Sequence, residues 1–79
     1  MIIALDYDGT YTRDPELWER FIDSAISSGH QISCVTMRYP QEEVRMRIPV
    51  VYTSRQAKML CFKADIWIDD NPHFLVMGG

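Results

Sequence analysis

Met1-Ile2-Ile3-Ala4-Leu5-Asp6-Tyr7-Asp8-Gly9-Thr10 is the stretch on which the fold turns. Its first five residues are continuously apolar, the pattern of a strand buried on both faces of a parallel sheet; a half-solvated strand would alternate. The run stops at Asp6, and Gly9 lets the chain leave the sheet abruptly. Asp6 and Asp8, two residues apart in extended backbone, point to the same side within roughly 7 Å of each other.

Beyond this stretch, apolar runs alternate with amphipathic segments. Asp14 caps and Pro15 opens a helix in which Leu17, Trp18, Phe21, Ile22, Ala25 and Ile26 recur at helical spacing, and Gly29 closes it. The second strand lies within His30 to Met37, with Ile32 to Val35 at its centre, and runs into Thr36 and Arg38. Pro40 predicts a short helix through about Arg47, by the same preference for proline at a helix start. The third strand spans Pro49 to Tyr52. Thr53 or Ser54 caps a further helix carrying Ala57, Met59, Leu60 and Phe62 and ending near Lys63. Ala64 to Ile68 is the fourth strand and delivers Asp69 and Asp70. Asn71-Pro72 then begins a turn or short helix, with Phe74 to Val76 returning to the core. This alternation predicts an α/β domain: a small parallel sheet in a Rossmann-like, three-layer α/β/α arrangement, with residues 1–79 as a single domain.

Composition sets the frame. At 79 residues, 47% hydrophobic, the chain has material for one core but buries a modest share of its surface, so marginal stability is expected. A net charge of −3 with no basic run argues against a nucleic-acid backbone stripe, although a phosphorylated nucleic-acid end stays open as a substrate. Cys34 and Cys61 lack metal-ligand spacing and read as reduced core thiols. The apolar start is too short for a signal peptide or a spanning helix, which makes a cytoplasmic location, without membrane association, the expectation.

The candidate chemistry follows from topology. Asp6, Asp8, Thr36, Asp69 and Asp70 all follow predicted strand ends, so parallel pairing gathers them at one sheet edge, where open α/β sheets bind ligands. Four carboxylates call for a cation, and an all-oxygen donor set favours Mg²⁺. Thr36 offers a hydroxyl and an N–H, Gly9 a turn whose N–H groups meet anions, and Lys58 a positive charge. Together these describe a site for phosphoryl transfer. Arg38 and Arg55, just past the second and third strands, lie on the loop side where substrate arrives. Lys63 rivals Lys58, which is preferred because it starts a helical turn nearer the third strand's end. Asp-Gly as a plain turn, and Asp69-Asp70 as a helix cap, are the bland alternatives.

In this order the residues resemble the motifs of the haloacid dehalogenase (HAD) superfamily. Ile3 to Thr12 is similar to the first motif, an apolar strand followed by Asp-x-Asp-Gly-Thr; Val35-Thr36 resembles the second, Lys58 fills the third, and Ile66 to Asp70 is similar to the acidic fourth. The resemblance implies sheet order 4-1-2-3 and a phosphatase acting on a phosphate monoester through an aspartyl-phosphate. Asp6 would be the nucleophile and Asp8 the acid and base, with Thr36 and Lys58 holding the phosphoryl group. Mg²⁺ would be held by Asp6, the backbone carbonyl of Asp8, Asp69 and Asp70. Neither connection has room for a cap domain, which points to a large substrate or to a lid from a second copy in a homo-oligomer. A phosphoacceptor receiver domain places its acidic residues differently along the chain. A HAD-like binding module without turnover stays open.

Overall fold

The continuous apolar run forms β1 (Ile2–Leu5), an inner strand paired on both edges, with Ile3, Ala4 and Leu5 buried. It lies parallel to β2 (Gln31–Thr36) on one side and β4 (Ile66–Ile68) on the other, while β3 (Val50–Tyr52) extends the sheet beyond β2. The computed structural model describes all residues 1–79. Its order is β3-β2-β1-β4, all parallel, which read from the β4 edge is 4-1-2-3. Leu5 is in register with both Cys34 and Ile68, so Asp6 emerges between the ends of β2 and β4. There the direction of strand addition reverses, and the diverging connections leave a crevice.

Helix α1 (Pro15–Ser27) starts as its sequence dictates: the Asp14 carboxylate accepts a hydrogen bond from the Leu17 N–H at 3.2 Å, and Pro15 opens the first turn. Ile22 and Ala25 are buried against Ile3, Leu5, Ile32 and Cys34, with Trp18 and Phe21 packed at the margin. Leu17 and Ile26, expected in the same stripe, are instead 42% and 50% exposed, because the apolar arc is wider than the sheet it covers. Gly29 ends the helix at φ +84°, a conformation open to glycine without strain. A short 3-10 turn, Tyr11–Arg13, links β1 to this helix.

Two expectations are corrected between β2 and α3. No helix forms over 40–47; the segment is turn and extended coil. Val44 and Ile48 are buried and Met46 is half-buried, while Arg45 and Arg47 face solvent, so burial follows a period of two. The Tyr52 hydroxyl accepts from the Val44 N–H at 2.8 Å and donates to the Val44 carbonyl at 3.3 Å, supplying partners that a helix would have provided. Helix α2 is one turn, Lys58–Cys61, with no cap from Thr53 or Ser54. Thr53 uses its hydroxyl on the Gln56 carbonyl, and Ser54 and Arg55 take positive φ, which no helix can contain. Met59, Leu60 and Cys61 are therefore exposed rather than in the core. Helix α3 (His73–Val76) packs against α2, but Val76 is 65% exposed. No helix is long and apolar enough to cross a membrane.

Candidate active site

Strands β1, β2 and β4 bring Asp6, Thr36 and Asp69 to the C-terminal edge of the sheet. Asp6, the residue after β1, donates its N–H to the Ile68 carbonyl at 2.9 Å and is only 7% exposed. A buried carboxylate needs a partner, and Lys58 provides it. Its Nζ donates at 2.6 Å to Asp6 Oδ1 and at 2.6 Å to Asp69 Oδ2, with the lysine side chain 3% exposed. Lys58 thus lies among the acidic groups, whereas Lys63 lines a separate hollow with Phe62 and Trp67. The one-turn length of α2 serves this end, since it points its first side chain into the sheet edge.

Asp70 joins through Thr10. The Thr10 hydroxyl lies 2.9 Å from Asp6 Oδ2 and 3.1 Å from Asp70 Oδ1, and accepts from the Asp70 N–H at 3.0 Å. With one proton to give, it serves either carboxylate in turn. Gly9 makes the approach possible: its φ is +85°, and a Cβ there would lie 2.5 Å from Asp70 Oδ2. That is a steric role, and it replaces the expected one. The Gly9 N–H is engaged by Thr12 Oγ1 at 3.0 Å, and Gly9 lines a neighbouring hollow rather than the main cavity.

Asp8 has a separate environment. Arg38 grips its carboxylate with two hydrogen bonds, Nε and Nη2 each at 2.8 Å, and the guanidinium lies 5.2 Å from the Tyr7 ring centroid. The crowding expected of Asp6 and Asp8 is thus met by two cations, Lys58 for one and Arg38 for the other. Ligand oxygens of Asp6, Asp69 and Asp70 come within 4.8 Å of one another, and the Asp8 carboxylate is not in that group. The resemblance assigns a ligand role to the backbone carbonyl of Asp8 and not to its side chain, and the three grouped carboxylates offer hard oxygen donors of the kind that suits Mg²⁺.

Protonation follows environment. Burial pushes the Asp6 carboxyl from its ordinary value of 3.8 up to about 6, outweighing the opposing pull of Lys58. Asp70, hydrogen-bonded by Asp6 and Thr10, is held below the usual carboxylate range, as is Asp8 by its hydrogen bonds from Arg38. Near pH 6 a proton on Asp6 is thus held against an ionised Asp70.

Thr36 is 1% exposed and its hydroxyl accepts from the Arg38 N–H at 3.3 Å. Asp6, Asp8, Thr36, Arg38, Lys58, Asp69 and Asp70 all line one open cavity of about 310 Å³. Every expected site residue but Gly9 is therefore brought together. Arg55, expected on the loop side, also lines this cavity, while Thr10, which lines the neighbouring hollow and bridges Asp6 to Asp70, was not among the expected residues. Thr10 was available to a reading of the turn, because a hydroxyl four residues after Asp6 reaches back across it; Arg55 depends on an irregular turn. Comparison with protein-family models, with curated proteins and with solved structures returns no match.

Proposed function

We propose that the chain is a Mg²⁺-dependent phosphohydrolase of the HAD type, cleaving a phosphate monoester through an aspartyl-phosphate on Asp6. The observation that carries this reading is the meeting of Asp6, Asp8, Thr36, Lys58 and Asp69, from separate stretches of the chain, in one cavity at the strand ends. The parallel sheet, its order and the motif resemblance agree with a HAD-like, three-layer core without a cap.

Asp6 Oδ attacks phosphorus and the ester oxygen leaves, taking a proton from Asp8. Asp8, now ionised, removes a proton from the water that attacks phosphorus in the acyl phosphate, releasing inorganic phosphate and restoring Asp6. Asp6 needs its ionised form for the attack, which its value of about 6 provides at neutral pH. Lys58 fixes the orientation of Asp6, and Thr36 offers its hydroxyl to a phosphoryl oxygen. Asp6, Asp69 and Asp70 would hold Mg²⁺, which when bound would supply charge compensation between these carboxylates and the phosphate. Asp8 must be freed from Arg38 to take up a proton, and the incoming phosphate dianion is the natural competitor for that guanidinium.

That same grip on Asp8 favours a second reading, in which the site binds phosphorylated ligands without turnover. Hydrolysis of p-nitrophenyl phosphate with Mg²⁺ separates the two, with wild type expected to be active and Asp6→Asn and Asp8→Asn reduced at least a hundredfold. Equal rates in all three would sink the mechanism; an inactive wild type across a broad panel of phosphate esters would favour the binding module. The open cavity leaves water exclusion to a large substrate or to a second copy acting as lid. Light scattering that finds only monomer would remove the second copy.

A further inference from the structure

Arg55 lines the same cavity as Asp6 and Lys58, yet its charge is not committed there. Lys58 is held by two carboxylates at 2.6 Å and Arg38 by one at 2.8 Å, whereas the nearest carboxylate to Arg55 is Glu42, on the surface, at 3.5 Å. Its guanidinium lies 5.7 Å from the Tyr39 ring centroid, a position that limits its freedom while leaving its N–H edges available. The backbone beneath it is strained. Ser54 and Arg55 have φ of 52° and 70°, consecutive non-glycine residues in the left-handed region that side chains disfavour. Hydrogen bonds hold this turn in place: Ser54 N–H to the Arg38 carbonyl at 3.2 Å and Arg55 N–H to the Met37 carbonyl at 2.9 Å. Both arginines are thus carried on one connected piece of backbone at the cavity mouth. Glycine or asparagine would make the turn without strain, so an arginine there points to use of its side chain.

Charge directs what that use is. The cavity sets Asp6, Asp8, Asp69 and Asp70 against Lys58, Arg38 and Arg55, and the acidic groups and Lys58 are concentrated at the sheet edge. Arg55 is the cation of the lining whose carboxylate partner lies outside it, so an anion beyond the reacting phosphate would meet that guanidinium.

We propose that Arg55 forms a second anion subsite, and that the substrate is a small phosphate monoester carrying a second phosphate group. The identity of the first phosphate rests on the phosphohydrolase reading; the subsite itself does not. A net charge of −3 and a cavity of about 310 Å³ favour a small bisphosphate over a nucleic-acid strand.

Calorimetry on the full chain carrying Asp6→Asn, with Mg²⁺ present, compares fructose 1,6-bisphosphate with fructose 6-phosphate without turnover. The bisphosphate is expected to bind at least tenfold more tightly. Adding Arg55→Gln should reduce that ratio below threefold, and Arg55→Lys should leave it between the two. Equal affinities before Arg55 is changed, or a ratio that Arg55→Gln leaves intact, would overturn the subsite. A 5′-phosphorylated dinucleotide binding more tightly than the bisphosphate would overturn the assignment to a small molecule. Failure of the phosphohydrolase reading is seen separately, as absence of hydrolysis by wild type with the binding ratio retained.

Discussion

Asp6 combines two properties that pull against each other, burial and a lysine partner. Because its carboxyl is raised from 3.8 to about 6, the folded chain binds this proton more tightly than the unfolded one. Its contribution to stability is therefore full below about pH 4 and is lost as pH rises through 6. Urea denaturation in Mg²⁺-free buffer should show wild type losing about 2–3 kcal/mol more than Asp6→Asn across that window. Asp8 and Asp70 are lowered and act in the opposite sense; Asp8 cancels in the comparison, and Asp70, lowered chiefly by its hydrogen bond from Asp6, does so where the Asn amide N–H donates in its place. Parallel pH curves for the two would show that Asp6 carries no raised value. Lys58→Met tests the other half of the pair. It leaves Asp6 and Asp69 without their cation, and removing one partner of a buried pair costs about 3–5 kcal/mol. The loss should be read without Mg²⁺ and should shrink when Mg²⁺ is added, since a second cation then meets the same carboxylates. An undiminished loss in saturating Mg²⁺ would argue against a metal there.

The connection between β2 and β3 shows how an element can be misread from a correct local rule. Pro40 does favour a helix start, but Val44-Arg45-Met46-Arg47-Ile48 alternates apolar and basic, and that period of two matches the observed burial. The decisive partner was distant in kind: a tyrosine hydroxyl from β3, which no helix propensity describes. Tyr52→Phe removes it and leaves both polar groups of Val44 without their partner, a destabilisation of about 1–3 kcal/mol by chemical denaturation. Amide exchange at Val44 should accelerate while β1 amides change only with global stability; uniform exchange across the chain would mean the segment has no independent tether. The strands, by contrast, were legible because continuous apolar runs have few other solutions, and Asp6, Asp69 and Asp70 follow their ends directly. The pairing of Asp8 with Arg38 was not legible, since it depends on two side chains brought together from adjacent strand ends. Nor was the Ser54-Arg55 turn, whose left-handed backbone goes against the preference of both residues.

The molecule as a whole has little core with which to hold four strands and an acidic edge together. Its fully buried hydrophobic residues number twelve, and Leu60, Val76 and Met77 remain more than half exposed. A domain of this size has a total stability of roughly 4–12 kcal/mol, so an interaction of a few kcal/mol at the site decides a large part of it. Three carboxylates that come within 4.8 Å of one another share one cation, Lys58, and separate on unfolding, so the repulsion left over at the functional edge is what a second cation would relieve. Binding to the folded state alone adds about 2.7 kcal/mol at a hundredfold excess over Kd, and a domain of this size gains about 4–8 °C in Tm per kcal/mol. Thermal melts should therefore rise by about 10 °C or more in saturating Mg²⁺ relative to NaCl of equal ionic strength. Asp69→Asn, which loses the ion pair with Lys58, and Asp70→Asn, whose ionised form the fold favours, should each melt lower than wild type without Mg²⁺ and gain less from its addition. That smaller gain distinguishes a metal site from general screening of a chain with net charge −3, which NaCl would reproduce in every variant alike.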